Sequence, residues 1–178
     1  LNLERNKFIF ATVHRRENWD KLDTIADAFK NIVKNHRDIK LLISVHPNPI
    51  VKNKINKILG KHPRIILVKP LKYDALVKVL KYCILVLTDS GGLQEEAPSF
   101  GKPVLVLRNN TERSEAVDAG TAKLIGTNSK DIFYEANLLL SNNEEYKKMS
   151  LINNPFGDGN ASQRILKSCF EFLAKNIK

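Results

Sequence analysis

The chain has 178 residues, 43% of them hydrophobic, and a formal net charge of +10 at pH 7, which suits one well-packed domain. No apolar run approaches the roughly 20 residues that span a bilayer, and the N-terminus lacks a signal-peptide pattern, so we expect a cytoplasmic chain with no membrane contact. Cys83 and Cys169 lie in apolar helical contexts without metal-motif spacing, and we expect both to be reduced core residues.

Short β-rich apolar runs alternate with amphipathic helical patterns along the chain. We predict, in chain order, strand 8–13, helix 23–36, strand 41–45, helix 50–60, strand 65–68, helix 73–82, strand 84–87, helix 92–99, strand 104–107, helix 113–118, strand 123–125, and helices 129–140, 144–150 and 160–176. Because right-handed crossovers return each helix to the sheet, this order predicts an α/β fold. We expect a doubly wound, Rossmann-like parallel sheet of about six strands with helices on both faces.

The positive charge is concentrated in one part of the chain. Residues 30–82 contain 13 Lys or Arg against two Asp. Such a segment can attract nucleic acid, but its lysines fall on the polar positions of predicted helices without interleaved aromatic residues. We therefore favour a solvated helix face, and keep a nucleotide- or nucleic-acid-binding regulatory module as the alternative from another class.

A small-residue turn follows the fourth predicted strand. It reads Asp89-Ser90-Gly91-Gly92 and opens a predicted helix, whose free N-terminal amides and dipole suit a phosphate group. Glu96 lies nearly two helical turns after Ser90, within reach of a sugar hydroxyl. The turn by itself is equally compatible with simple packing, in which Asp89 or Ser90 caps the helix.

Polar residues also follow the first two strands. His14 comes directly after the first strand, beside Arg15 and Arg16, where a phosphate would favour its charged form. The alternative is a histidine hydrogen-bonded within its loop. His46 ends the second strand at the same edge of the sheet, and Asn48 is expected to be the N-cap of the next helix.

Arg113 is predicted in the opening turn of a helix capped by Thr111. The helix dipole disfavours an arginine there, so its guanidinium is better explained by contact with phosphate. Asp158, before the last helix, is expected to be a cap or a ligand contact. No group of side chains has metal-ligand spacing, and we expect no metal and no cofactor.

These motifs occur together and in order in one known family. They are Thr12-Val13-His14-Arg15-Arg16-Glu17-Asn18, His46-Pro47-Asn48-Pro49, Asp89-Ser90-Gly91-Gly92-Leu93-Gln94-Glu95-Glu96-Ala97-Pro98, Gly101-Lys102-Pro103-Val104-Leu105, Arg108, Thr111-Glu112-Arg113-Ser114-Glu115-Ala116, Gly120-Thr121 and Asn154-Pro155-Phe156-Gly157-Asp158-Gly159. The whole chain resembles the C-terminal domain of the non-hydrolysing UDP-N-acetylglucosamine 2-epimerases, one half of a two-domain GT-B architecture. Ser114 is a small departure, at a position where proline is expected in the family.

The resemblance implies interconversion of UDP-GlcNAc and UDP-ManNAc through elimination of UDP, a bound 2-acetamidoglucal and re-addition of UDP. It also implies a role for each residue that matches a family motif. His14 is then catalytic, beside the leaving diphosphate, and Arg15 and His46 map to an allosteric substrate site. The implied substrate contacts are the diphosphate on Ser90, Gly91, Gly92 and Arg113, and the ribose on Glu96.

The resemblance also predicts what this chain lacks. A Leu start followed at once by a strand suggests part of a longer protein, and the acids that exchange the C2 proton belong to the family's N-terminal domain. Residues 1–178 are thus expected to form the UDP-binding half, inactive alone, with the final stretch 159–178 packing towards the missing half. We expect a homodimer for the full-length protein and no nucleic-acid partner. A GT-B glycosyltransferase donor domain and a hydrolysing 2-epimerase are the alternatives.

Overall fold

A six-stranded parallel sheet forms the centre of the computed structural model, which describes residues 3–176. Residues 1, 2, 177 and 178 of the expected domain lie outside the described part. The sheet order is β3-β2-β1-β4-β5-β6, so the strand order reverses between β1 and β4. The strands are β1 Phe8–Val13, β2 Lys40–Val45, β3 Ile65–Val68, β4 Leu85–Thr88, β5 Val104–Val106 and β6 Ala122–Leu124.

Helices cover both faces of this sheet, as predicted. They are α1 Leu22–Asn35, α2 Pro49–Leu59, α3 Tyr73–Tyr82, α4 Gly91–Glu96, α5 Ser114–Asp118, α6 Ser129–Ser141, α7 Asn143–Ser150 and α8 Ala161–Asn176. Side chains of α1, α2 and α6 share one buried cluster with Ile9 and Ala11, and those of α3, α4 and α5 share another with Phe8 and Phe10. All six residues of β1 are therefore buried, as expected for a central parallel strand.

Several element boundaries differ from the predicted ones for local reasons. β4 ends one residue later than predicted, because Thr88 pairs with both Thr12 and Val106. The helix predicted over 92–99 starts at Gly91 and continues after Glu96 as the 3₁₀ turn Ala97–Phe100, where Pro98 cannot supply an N–H to the helix. Gly101 then ends the turn with a φ of 62°.

The expectation that both cysteines are core residues is wrong for Cys169. Cys83 is buried, and this burial raises the pKa of its thiol to about 12. Cys169 is exposed because α8 lies away from both clusters, with every residue from 161 to 175 exposed. Asp158 binds Arg164 of α8 at 2.7 and 2.8 Å and accepts the N–H of Asn160, the residue before α8. None of the helices in the described part is long and apolar enough to cross a membrane.

Candidate functional site

The ends of β1 and β4 meet at the point where the strand order reverses, which is where open α/β sheets bind ligands. The hydroxyl oxygens of Thr12 and Thr88 lie 2.6 Å apart in the buried space between the two strands. The Thr88 hydroxyl also accepts the Ser90 N–H at 3.0 Å. These bonds fix the start of the turn after β4 against the end of β1.

Asp89 joins this turn to the loop after β1. Its carboxylate has no exposed surface and accepts the backbone N–H groups of His14 and Arg15 and the side-chain amide of Asn18, at 2.9–3.1 Å. The Asn18 amide also donates to the Leu107 carbonyl at 3.0 Å. Asp89 therefore orients the loop that carries His14. Sequence reasoning considered it only as a helix cap, because its partners lie more than 70 positions away.

The amino end of α4 is left without a side-chain cap. Ser90 occupies the N-cap position, but its side chain makes no capping hydrogen bond. Gly91 and Gly92 follow it, and a Cβ on Gly92 would lie 3.6 Å from Glu96 Oε1. Capping by Asp89 or Ser90, the packing alternative, is therefore not what the structure contains. The first amides of α4 are available to a ligand.

Arg113 lies beside the amino end of α4, although not in a helical turn. The predicted helix start is wrong here, because α5 begins at Ser114 and Arg113 precedes it as its N-cap residue. The Thr111 hydroxyl accepts the Arg113 N–H at 3.1 Å and donates to Gln94 Oε1 at 2.6 Å. Gln94 is fully buried and donates to the Ser90 carbonyl at 3.1 Å. This chain of bonds connects Arg113 to the turn that carries the glycines.

Glu96 is a partly buried carboxylate near Gly92. Burial is the main cause that raises the pKa of Glu96 above its usual value, the neighbouring Glu95 adds to the increase, and a hydrogen bond with Tyr73 opposes it. Tyr73 is the first residue of α3 and is 68% exposed. Sequence reasoning missed this tyrosine, and the only available signal was an aromatic residue at the start of a helix near the carboxyl ends of the strands.

His14 is held by the second strand as well as by its own loop. Its Nε2 lies 3.0 Å from the Ser44 carbonyl, and since a carbonyl only accepts, Nε2 carries a proton. The His46 ring packs edge-on against the His14 ring at 5.5 Å between centroids, and Trp19 packs against His46 at 5.7 Å. Asn48 caps α2 by accepting the Ile50 N–H at 2.9 Å, as predicted.

A buried arginine organises the charges beside this loop. Arg108 is 6% exposed and donates to Glu17 at 2.8 Å and to both oxygens of Glu112 at 2.8 and 3.2 Å. The hydrogen bond from Arg108 is the main cause that lowers the pKa of Glu112 to about 2. Arg15 lies 3.6 Å from the same Glu112. Arg15 therefore belongs to a network of four charges.

Two small cavities lie at this edge of the sheet. One of about 180 Å³ is bordered by His14 and Ser90 and closed by apolar side chains, among them Leu71, Leu76 and Leu93. The other, of about 230 Å³, lies at the ends of β2 and β3 and is lined by His46 and two lysines, Lys52 and Lys69. No group of three or more His, Cys, Asp or Glu in residues 3–176 could hold a metal ion.

Comparison with known proteins assigns this arrangement to a family. A family model described as UDP-N-acetylglucosamine 2-epimerase matches residues 1–169. The chain belongs to this family. The UDP-N-acetylglucosamine 2-epimerase of Escherichia coli K12 is 47% identical over 163 residues, which are 91% of this chain and 43% of that relative. The resemblance inferred from the motifs is thus confirmed.

Solved structures of the 2-epimerase family have the same fold. That of the UDP-GlcNAc 2-epimerase from Neisseria meningitidis bound to UDP-GlcNAc is 40% identical, with a TM-score of 0.88 over 93% of this chain and 45% of that one. The S. aureus MnaA–UDP structure is 44% identical, with a TM-score of 0.91 over 97% and 47%. The predicted GT-B class is confirmed, and the chain spans less than half the length of these 2-epimerases.

The structure brings most of the predicted 2-epimerase site residues together. His14 and Ser90 border one cavity, and Gly91, Gly92 and Glu96 lie on the adjoining helix with Arg113 beside it. Arg15 and His46, the two residues expected at a secondary site, contact different groups of residues. Arg15 joins the Arg108 network, whereas His46 lines the second cavity.

Proposed function

We propose that this chain is the UDP-binding half of an enzyme that interconverts UDP-GlcNAc and UDP-ManNAc. The observation that carries the proposal is the meeting of His14 and Ser90 at one cavity next to the uncapped end of α4. Family membership supports the reaction, in which UDP is eliminated to give 2-acetamidoglucal and is then added back. The N. meningitidis relative described above was solved with UDP-GlcNAc bound.

The proposed substrate contacts follow from the chemistry of each group. The diphosphate would accept hydrogen bonds from the first amides of α4, at Gly91 and Gly92 and with Ser90 beside them. Arg113 would neutralise part of its charge. The carboxylate of Glu96, near Gly92, would accept the ribose hydroxyls. The uracil ring would enter the apolar cavity closed by Leu71 and Leu76.

His14 is the proposed catalytic residue of this half. Its Nε2–H already donates to the Ser44 carbonyl, so a second proton on the ring would make the imidazolium. That charge next to the leaving diphosphate would stabilise it as the bond to C1 breaks. We propose Arg15 and His46 as residues of a secondary substrate site. Neither is among the residues assigned above to the diphosphate or the ribose.

The groups that move the C2 proton are proposed to lie in the rest of the protein. Glu112 is bound to Arg108 and Glu95 to Arg113, so neither is free to act as a base. Helix α8 exposes Ile165, Leu166, Phe170 and Leu173, and we propose that this apolar face packs against the other half. A homodimeric full-length enzyme and a cytoplasmic location are further parts of the proposal.

Calorimetric titration of UDP into this chain and its Glu96→Ala variant tests the nucleotide site. We expect the wild-type chain to bind UDP and the variant to bind about tenfold more weakly, because the ribose loses a charged hydrogen-bond acceptor. Asp131→Ala, which removes an exposed carboxylate at the start of α6, is the control and should bind like the wild type. Equal affinity of wild type and Glu96→Ala would remove Glu96 from the site.

The chemistry itself is tested on the full-length protein. NMR analysis of its products should show UDP-ManNAc and incorporation of solvent deuterium at C2. Release of free ManNAc would instead identify a hydrolysing 2-epimerase, and transfer of the sugar to an acceptor without C2 exchange would identify a glycosyltransferase.

A further inference from the structure

The two adjacent glutamates at the end of α4 have different partners. Glu96 lies near Gly92 and Tyr73, as described above. Glu95 instead accepts a hydrogen bond from Arg113 Nε at 2.5 Å through its Oε1. Both side chains of this pair are about one third exposed. The backbone carbonyl of Glu95 accepts the Asn154 amide at 2.8 Å, which fixes the residue from the other side.

This bond determines which part of Arg113 is left for a ligand. A guanidinium has one Nε–H and two terminal NH₂ groups, and Glu95 takes the Nε–H. The terminal part lies against the start of α4, because Arg113 Cζ and Nη2 are 3.4 and 3.5 Å from the position that a Cβ on Gly91 would occupy. The two NH₂ groups form the edge that suits bidentate binding of phosphate.

The backbone around Arg113 does not fix the guanidinium by itself. Arg113 precedes α5 as its N-cap residue, and the Thr111 hydroxyl holds only its backbone N–H. A long arginine side chain without a fixed partner loses rotamer freedom when it binds a ligand, and this loss weakens binding. A carboxylate that orders the side chain beforehand reduces that loss.

We propose that Glu95 is a positioning residue that holds the Arg113 guanidinium over Gly91, with its terminal nitrogens directed at the phosphates of the nucleotide. This inference rests on the proposed UDP site. The negative charge of Glu95 also repels a diphosphate, but solvent screens that repulsion at a partly exposed position. The contact of Glu95 with Arg113 therefore affects the affinity for a diphosphate more than this repulsion does.

The test measures the affinities of UDP and of uridine, which lacks the phosphates, by calorimetry. We expect Glu95→Ala to weaken UDP binding about tenfold, the size of one hydrogen bond to a charged group. Uridine affinity should stay within about twofold. Glu95→Gln keeps an oxygen acceptor for Nε–H and should restore UDP binding to within about twofold of the wild type.

A double-mutant comparison shows whether Glu95 acts through Arg113. In an Arg113→Ala background, adding Glu95→Ala should change UDP affinity by less than about twofold. Glu115→Ala is the charge-matched control, since Glu115 is an exposed carboxylate two positions after Arg113. It should leave UDP affinity within about twofold of the wild type.

Three results would overturn the role of Glu95 while leaving the UDP site intact. They are unchanged or tighter UDP binding by Glu95→Ala, an equal loss of uridine binding, and a persistent effect of Glu95→Ala in the Arg113→Ala background. If the wild-type chain binds neither UDP nor uridine, the proposed function fails, and the role of Glu95 fails with it.

Discussion

Asp89 is a buried carboxylate that holds the loop after β1 against the turn after β4. Its two oxygens accept hydrogen bonds from His14, Arg15 and Asn18, and none of its surface is exposed. A buried charge is tolerated only when such donors replace the lost water. The arrangement sets the position of the loop that carries His14, so Asp89 affects both stability and the site.

Replacing Asp89 by alanine should destabilise the chain strongly. The change leaves one buried and two partly buried N–H donors without this acceptor, and we expect a loss of about 3 kcal/mol in the free energy of unfolding. Urea denaturation followed by circular dichroism measures it. Asp118→Ala, at an exposed position in α5, should change stability by less than about 0.5 kcal/mol. Equal effects of the two substitutions would contradict the role assigned to Asp89.

Glu112 should make part of the stability depend on acid pH. Its ordinary pKa of 4.5 is lowered to about 2 in the folded chain by Arg108. A carboxyl whose pKa is lower in the folded than in the unfolded chain stabilises the fold above pH 4.5, and this contribution is lost as the pH falls towards 2. The wild type should therefore lose more stability over this range than Glu112→Gln.

Urea denaturation at several pH values between 5 and 2 measures this difference. Glu115→Gln removes a nearby exposed carboxylate and should follow the wild-type pH profile. Parallel profiles for the wild type and Glu112→Gln would show that the bond to Arg108 does not contribute.

At the scale of elements, α4 and the loop before α5 act as one unit. Gln94 is fully buried and bonds both Ser90 and Thr111, while Glu95 bonds Arg113. Helix α4 has only six residues, too few to be stable in isolation. Its position is therefore set by these bonds and by burial of Leu93. Helix α8 shows the opposite case, because its side chains from 161 to 175 remain exposed.

The contribution of α8 to the stability of this chain should be small. Phe170 is 68% exposed, whereas Phe10 in β1 is 1% exposed. We expect Phe170→Ala to change the free energy of unfolding by less than about 0.5 kcal/mol, and Phe10→Ala to lower it by about 3–5 kcal/mol. Chemical denaturation compares the two. A loss above about 1 kcal/mol for Phe170→Ala would mean that α8 packs on this domain in solution.

At the scale of the whole molecule, the candidate site belongs to a chain that is much shorter than its relatives. The chain spans 43% of the length of its E. coli relative. The carboxyl ends of β1 and β4 present His14 and Ser90 at one cavity, and Arg113 lies beside the start of α4. The carboxylates of Glu95 and Glu112 are paired with arginines. Both of these carboxylates therefore already have a partner within this chain.

The chain alone should bind UDP but should not epimerise UDP-GlcNAc. Incubation with UDP-GlcNAc, followed by NMR or chromatographic separation of the 2-epimers, should give less than about one turnover per molecule, because the proposed proton-transferring acids are not in this chain. The full-length protein is the positive control. Multiple turnovers by the isolated chain would show that one of its own carboxylates can exchange the C2 proton.

Local patterns in the sequence predicted the alternating elements, the parallel sheet and the motifs at the strand ends. These features are encoded by consecutive residues, through apolar periodicity and turn chemistry. The sequence also predicted the cap formed by Asn48, whose partner Ile50 is only two positions away. The predicted start of α5, at Arg113, was one residue too early. The sequence also put Cys169 in the core, because an amphipathic pattern does not reveal which surface covers the apolar face of a helix.

No local pattern predicted the bonds of Asp89 to the loop after β1, of Arg108 to Glu17, or of Arg113 to Glu95, which appear only in the folded chain. Their partners are 18 to 91 positions apart in the chain. They meet because β1, β4 and β5 are neighbours in the sheet, and the order of strands is set by global packing rather than by any local pattern. The sequence thus determined which groups reach the carboxyl ends of the strands, and the fold decided which of them bind one another.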